Sequence, residues 1–152
     1  MQEKEFKVYN DRATKFYERL VNEFFIETRP LKAEYMRSTE PVKFQDRLKG
    51  EYLPIREGEK WGESWDSAWF HLTGEIPAEW EGKDLALNIN FNGEALLFDR
   101  YGVPIYGLTD GSLFHTGCRK EIFNLSDLGQ SSGHLDVWVE AAANNLFGMT
   151  MD

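Results

Sequence analysis

Cysteine is almost missing from this sequence. Cys118 stands alone, so no disulfide can close inside the chain and the fold must rest on a hydrophobic core. Long apolar runs are missing too. Charges or amides interrupt each apolar stretch within a few residues, far short of the ~20 apolar residues of a membrane-spanning helix. The first residues lack the basic start, apolar run and small-residue cleavage site of a secretory leader. Together these features predict a cytoplasmic chain with no membrane partner. Positive charge is in deficit: 17 Lys and Arg against 26 Asp and Glu give a formal net charge of −9. Because a nucleic-acid surface needs concentrated Lys and Arg to release counterions from phosphates, nucleic acid is not an expected partner.

The common signatures of chemistry are also missing. There is no P-loop, no GxGxxG after a strand, no HExxH, no paired CxxC and no GxSxG, so no cofactor is expected here. His71, His115 and His134 lie far apart, without the spacing of metal ligands. Cys118, in TGCRKE, has no neighbouring base or helix N-terminus to activate it and reads as a spectator. Carboxylates are plentiful, yet no pair is marked as catalytic. Glu94 and Asp99 flank one expected strand, and on so acidic a chain they read as surface charges.

What is present is aromatic: 14% of the residues, including five Trp, in a chain of 152 residues that suits one domain. From Asn10 to Ile26, Phe16, Tyr17, Leu20, Val21, Phe24 and Phe25 recur at helical spacing, with Asn10 or Asp11 as N-cap. An amphipathic helix is expected there. From Glu27 to Lys60 the periodicity dissolves among mixed charges and Pro30, Pro41 and Pro54, which predicts an extended connector. Residues 1–60 thus form helix and connector, and residues 61–152 form the domain proper.

Beyond Trp61 the chain turns to short β-branched and aromatic segments punctuated by Gly, Pro, Asn and Asp. In Ser67 to Ile76, Ala68, Phe70, Leu72 and Ile76 share one parity while Trp69, His71 and Thr73 share the other. Asp84 to Phe91 alternates likewise, with Leu85, Leu87, Ile89 and Phe91 on one face. Asn92-Gly93 is a strong hairpin signal and predicts Glu94 to Asp99 as the partner strand. Tyr101-Gly102 predicts a second turn, Val103 to Leu108 a strand, and Leu135, Val137 and Val139 another. Strands without intervening helices fit a mainly β fold, a jelly-roll or galactose-binding-like β-sandwich.

The densest unusual feature is WGESWDSAWF, with Trp61, Trp65 and Trp69 at four-residue spacing. Gly62, Ser64, Asp66 and Ser67 support a helix poorly there, so packing is the first reading. Trp61, Trp65 and Trp69, with Glu94 nearby in the expected sheet, are the candidates for contact with carbohydrate or with another domain.

Taken together, WGESWDSAWF, the IPAEWEGK connection, GEALL, the GVPIYGLT hairpin and VEAAANNLFG resemble, in order and spacing, the N-terminal domain of α-mannosidases of glycoside hydrolase family 38, bacterial and vacuolar type. The resemblance covers about the last ninety residues well and the first sixty loosely. Ser67 stands where the family often has Thr, and Tyr101 where it commonly has Asp. The resemblance implies a retaining exo-α-mannosidase whose later barrel domain binds zinc and supplies the Asp nucleophile and a second carboxylic acid. No position here matches those motifs, so the chain is expected to be a truncated, non-catalytic part that needs no cofactor and packs on the catalytic domain. The alternative is an independent carbohydrate-binding module for α-mannoside glycans. Aromatic residues around Trp61 and Trp65, if uncovered, would favour self-association.

Overall fold

A computed structural model of the chain describes residues 3–109, 119–130 and 132–144. Two compact units divide it, Met1–Pro30 and Leu31–Asp152. The first is one helix, α1 (Glu3–Glu23). It begins seven residues before the expected cap at Asn10 or Asp11, because Phe6 and Tyr9 continue the stripe of Phe16, Tyr17 and Leu20 toward the N-terminus and Lys and Glu favour helix between them. These large side chains are exposed. Past Glu23, the run Phe24-Phe25-Ile26 and then Pro30 give the helix no support to continue.

The second unit is antiparallel β. Its strands are β1 (Lys32–Ser38), β2 (Leu53–Ile55), β3 (Ser67–Ile76), β4 (Ala86–Asn88), β5 (Glu94–Phe98), β6 (Pro104–Thr109), β7 (Ile122–Asn124) and β8 (Gly133–Ala142). Six form one sheet in the order β2-β1-β3-β8-β5-β6, and β4 pairs with β7 in a second. Ala68, Phe70 and Leu72 of β3, Leu97 of β5 and Leu135, Val137 and Val139 of β8 face Leu87, Ile89, Phe123 and Leu125 across one core. The alternation predicted for β3, for Asp84 to Phe91 around β4 and for β8 is therefore the device that builds the sandwich.

Three expectations are corrected. Residues 27–60 are not a mere connector, for β1 runs antiparallel to all of Ser67 to Thr73 and carries β2 on its other side. Ala33, Tyr35 and Ile55 pack on the core, and the compact unit starts at Leu31 rather than at Trp61. The charged residues of KAEYMRS mask that alternation, because Lys32 and Arg37 reach solvent and Glu34 pairs with Lys32. Asn92-Gly93 does not close a hairpin between β4 and β5. Asn92 adopts φ 55, as the dipeptide suggests, but the bend carries the chain from the two-stranded sheet into the six-stranded one. The hairpin lies instead between β5 and β6. Asp99 Oδ1 accepts the N–H groups of Tyr101 and Val103 there, both at 2.8 Å, and Gly102 takes φ 85.

The outer face of the large sheet is also covered in part. A 3-10 turn, Phe44–Lys49, lies over it. Phe44 packs on Trp69 and Phe98 at 5.7 Å each, and the Arg47 guanidinium sits 3.7 Å from the Phe44 ring and 4.4 Å from Trp138. Tyr52 donates its hydroxyl to the Arg47 carbonyl at 2.8 Å, and burial pushes its pKa up to about 12.

Candidate functional site

The four residues singled out by sequence fall into different environments. Trp69 is 2% exposed, and its indole N–H donates to the Val42 carbonyl at 2.7 Å. Its neighbours are Phe44 and Phe98, so it serves packing and offers no face to a sugar or to another domain. Trp61 is half-buried, edge-on to Phe70 at 5.4 Å, with its N–H given to the Phe91 carbonyl at 3.0 Å. Trp65 alone is open, at 65% exposure.

Trp65 lies just ahead of β3, where the ladder with β8 is irregular. Its N–H donates to the Ala143 carbonyl at 2.8 Å, while the Ala143 N–H donates to the Asp66 carbonyl at 2.8 Å. Two residues thus oppose one, as in a β-bulge, and Trp65 takes the left-handed φ of 73. Asp66 locks the arrangement. Its buried carboxylate accepts from Arg37 Nε at 2.8 Å and from the Glu63 N–H at 2.7 Å. Neither Arg37 nor this turn was marked by sequence, since the pairing joins segments some thirty residues apart.

Glu94 begins β5 and pairs with Ala142, so it lies on the far side of β8 from Trp65. Asn144 grips it twice: the amide nitrogen donates to Glu94 Oε2 at 3.0 Å, and the amide oxygen accepts from the Glu94 N–H at 3.2 Å. The sequence holds no local signal of this grip, since Asn144 and Glu94 lie fifty residues apart. The structure brings Trp65, Asn144 and Glu94 to one end of the large sheet, and it leaves Trp69 out. Close by on β8, burial pushes the Glu140 carboxyl above its ordinary pKa.

Candidate catalytic and metal-binding groups do not converge in this way. Glu94 opens β5 and Asp99 follows its last residue, five positions on, which is roughly 16 Å of extended backbone. Asp99 is engaged in its turn. His71 meets Asp136 at 3.1 Å and stacks on Trp138 at 4.1 Å, and His134 meets Glu75 at 2.7 Å. Among the described residues no three His, Cys, Asp or Glu groups gather as a metal site would require. His115 and Cys118 lie outside the described residues, as does the part of VEAAANNLFG beyond Asn144. No helix of the described residues is long and apolar enough to cross a membrane.

Comparison with known proteins gives a consistent picture. The Ams1-like family model described as alpha-mannosidase, jelly roll domain, matches residues 29–151. Alpha-mannosidase G of Dictyostelium discoideum is 26% identical over 122 residues, which cover 80% of this chain and 11% of that protein. Alpha-mannosidase 2C1 of Homo sapiens is 31% identical over 111 residues, covering 72% of this chain and 10% of that protein. The mouse alpha-mannosidase 2C1 is 29% identical over the same shares. The chain therefore spans about a tenth of the length of these relatives.

Proposed function

Because the chain belongs to the Ams1-like family of α-mannosidase jelly roll domains, we propose that it serves as the non-catalytic N-terminal domain of a retaining exo-α-mannosidase of glycoside hydrolase family 38. In this role it packs on a catalytic domain and helps to shape the mannoside site. The carrying observation is the placement of Glu94 and Asp99. A retaining glycosidase holds its two carboxyl groups about 5 to 5.5 Å apart, whereas five positions of extended chain set the Glu94 and Asp99 backbones roughly 16 Å apart, which speaks against a catalytic pair. Each carboxylate also accepts a bond within the chain, Glu94 Oε2 from Asn144 and Asp99 Oδ1 from turn N–H groups.

Zinc belongs to the catalytic domain on this reading. The described residues offer it only the pairs His71 with Asp136 and His134 with Glu75, which are too few donors for a catalytic zinc site. A cytoplasmic location is part of the proposal, supported by a single cysteine in 152 residues.

The test has two arms. The chain alone, with or without added zinc, should not turn over an aryl α-mannoside, and it should associate with the separately produced catalytic region of its own α-mannosidase and raise that region's thermal stability. Turnover by the chain that disappears in Glu94→Gln or Asp99→Asn would overturn the non-catalytic role. Failure to associate would overturn the packing role.

A further inference from the structure

Trp65 is unusual on two independent counts. A bulky residue at φ 73 occupies a region that Gly or Asn enters with less strain. Its side chain gains little burial in return, with 65% of the residue exposed. The strained backbone is nevertheless held firmly, through the Ala143 bonds, the buried Asp66 carboxylate and Arg37. Strain that persists because its surroundings over-determine it collects at ligand clamps, and bulges commonly re-aim a side chain beside a site.

The rest of the end is polar and already ordered. Asn144 follows directly on Ala143, to which Trp65 is bonded, and it fixes the Glu94 carboxylate through Oε2 while Oε1 is left to accept from a ligand. β3 and β5 flank β8, so their backbones are two strand spacings apart, roughly 10 Å. β8 itself fills that interval, so a sugar ring would lie over its end and reach from the Trp65 flank to the Glu94 flank.

The geometry points to a binding site for a neutral pyranoside at this end of the sandwich, with the Trp65 indole against the C–H face of the ring and Glu94 and Asn144 on its hydroxyls. An indole is an apolar plate with a polar edge, suited to a ring of the same double character. A few fixed polar groups then set orientation. A protein partner would call for a contiguous apolar patch, whereas Trp65 stands close in the chain to Glu63 and Asp66 and shares its end of the sheet with Glu94 and Asn144. An uncharged sugar also meets no repulsion from a chain of net charge −9. The site belongs to this chain alone and stands whether or not a catalytic domain packs on it.

The test uses the chain as it is, with methyl α-D-mannopyranoside, methyl β-D-glucopyranoside and methyl β-D-galactopyranoside as probes. At least one should produce saturable NMR shifts of the Trp65 indole N–H and the Asn144 side-chain amide in the millimolar range, the weak end of the affinity scale. Trp65→Gly relaxes the backbone, so its melting temperature should hold or rise while affinity falls by about tenfold or more. Glu94→Gln should weaken binding several-fold. No saturable shift with any of the three sugars, or unchanged affinity in Trp65→Gly, would overturn the site.

Discussion

Arg37 Nε lies 2.8 Å from Asp66 Oδ2, an ion pair whose carboxylate is buried and whose guanidinium is exposed. The same oxygen accepts the Glu63 N–H, so one side chain ties β1 to the turn that enters β3. Gly62 belongs to this arrangement, because a Cβ there would stand 3.3 Å from Asp66 Cβ.

Replacement of Asp66 by Ala removes both bonds and leaves a backbone N–H without its acceptor. A loss of about 2 kcal/mol in urea unfolding is expected, since truncating a buried charged acceptor costs more than an ordinary hydrogen bond contributes. Glu63→Ala removes only a surface pair with Lys60 and should cost under about 0.5 kcal/mol. Equal effects of the two would show that Asp66 does not brace the turn.

Gly102 sits at φ 85 in the β5–β6 hairpin, and a Cβ on it would enter the ring of Phe44. Gly102→Ala should therefore act twice, straining the backbone and pushing Phe44 from Trp69, for roughly 2 kcal/mol or more. Gly107 has open space around the same position. Gly107→Ala is the control, and thermal unfolding should separate the two by several degrees.

Glu140 supplies a pH dependence. Burial raises its carboxyl above the ordinary value of 4.5, so the folded state binds its proton more tightly than the unfolded state does. Stability attached to this group is present below pH 4.5 and falls as pH rises through the folded value. Glu140→Gln should be more stable than the parent at pH 7 and equal to it well below pH 4.5. Urea midpoints across that range decide the matter, and a parent that is the more stable at pH 7 would refute it.

Tyr52 acts at the other end of the scale. Its pKa is raised from 10.0 to about 12 by burial, so ionisation opposes the fold and stability should fall between pH 10 and about 12. Tyr52→Phe loses the bond to the Arg47 carbonyl, about 1 kcal/mol at neutral pH. It should unfold less steeply over that alkaline range, as followed by circular dichroism.

The sequence already contained β3 from Ser67 to Ile76, the inward parity of β8 and the turn at Gly102, because each is written in neighbouring residues. It also carried the family, since the order of WGESWDSAWF, GEALL and VEAAANNLFG survives in the match over residues 29–151. Strand partnership was another matter. Asn92-Gly93 specifies a left-handed bend but not which strands it joins, and β5 finds β8 across some forty residues instead of β4 next door. β1 stayed hidden for a related reason, as its charges obscure a pattern that only pairing with β3 reveals.

The three tryptophans divide local from tertiary information most sharply. Trp61, Trp65 and Trp69 were all candidates for contact by composition and spacing, and only Trp69 stood within an expected strand. Sequence alone determined that large aromatic side chains would stand before and within β3. Only the folded chain decided their use: the turn at Phe44–Lys49 closed over Trp69, Phe70 and Phe91 took in Trp61, and the bulge at Ala143 turned Trp65 outward. Burial depends on what other segments bring to a residue, and those segments lie tens of residues away in the chain.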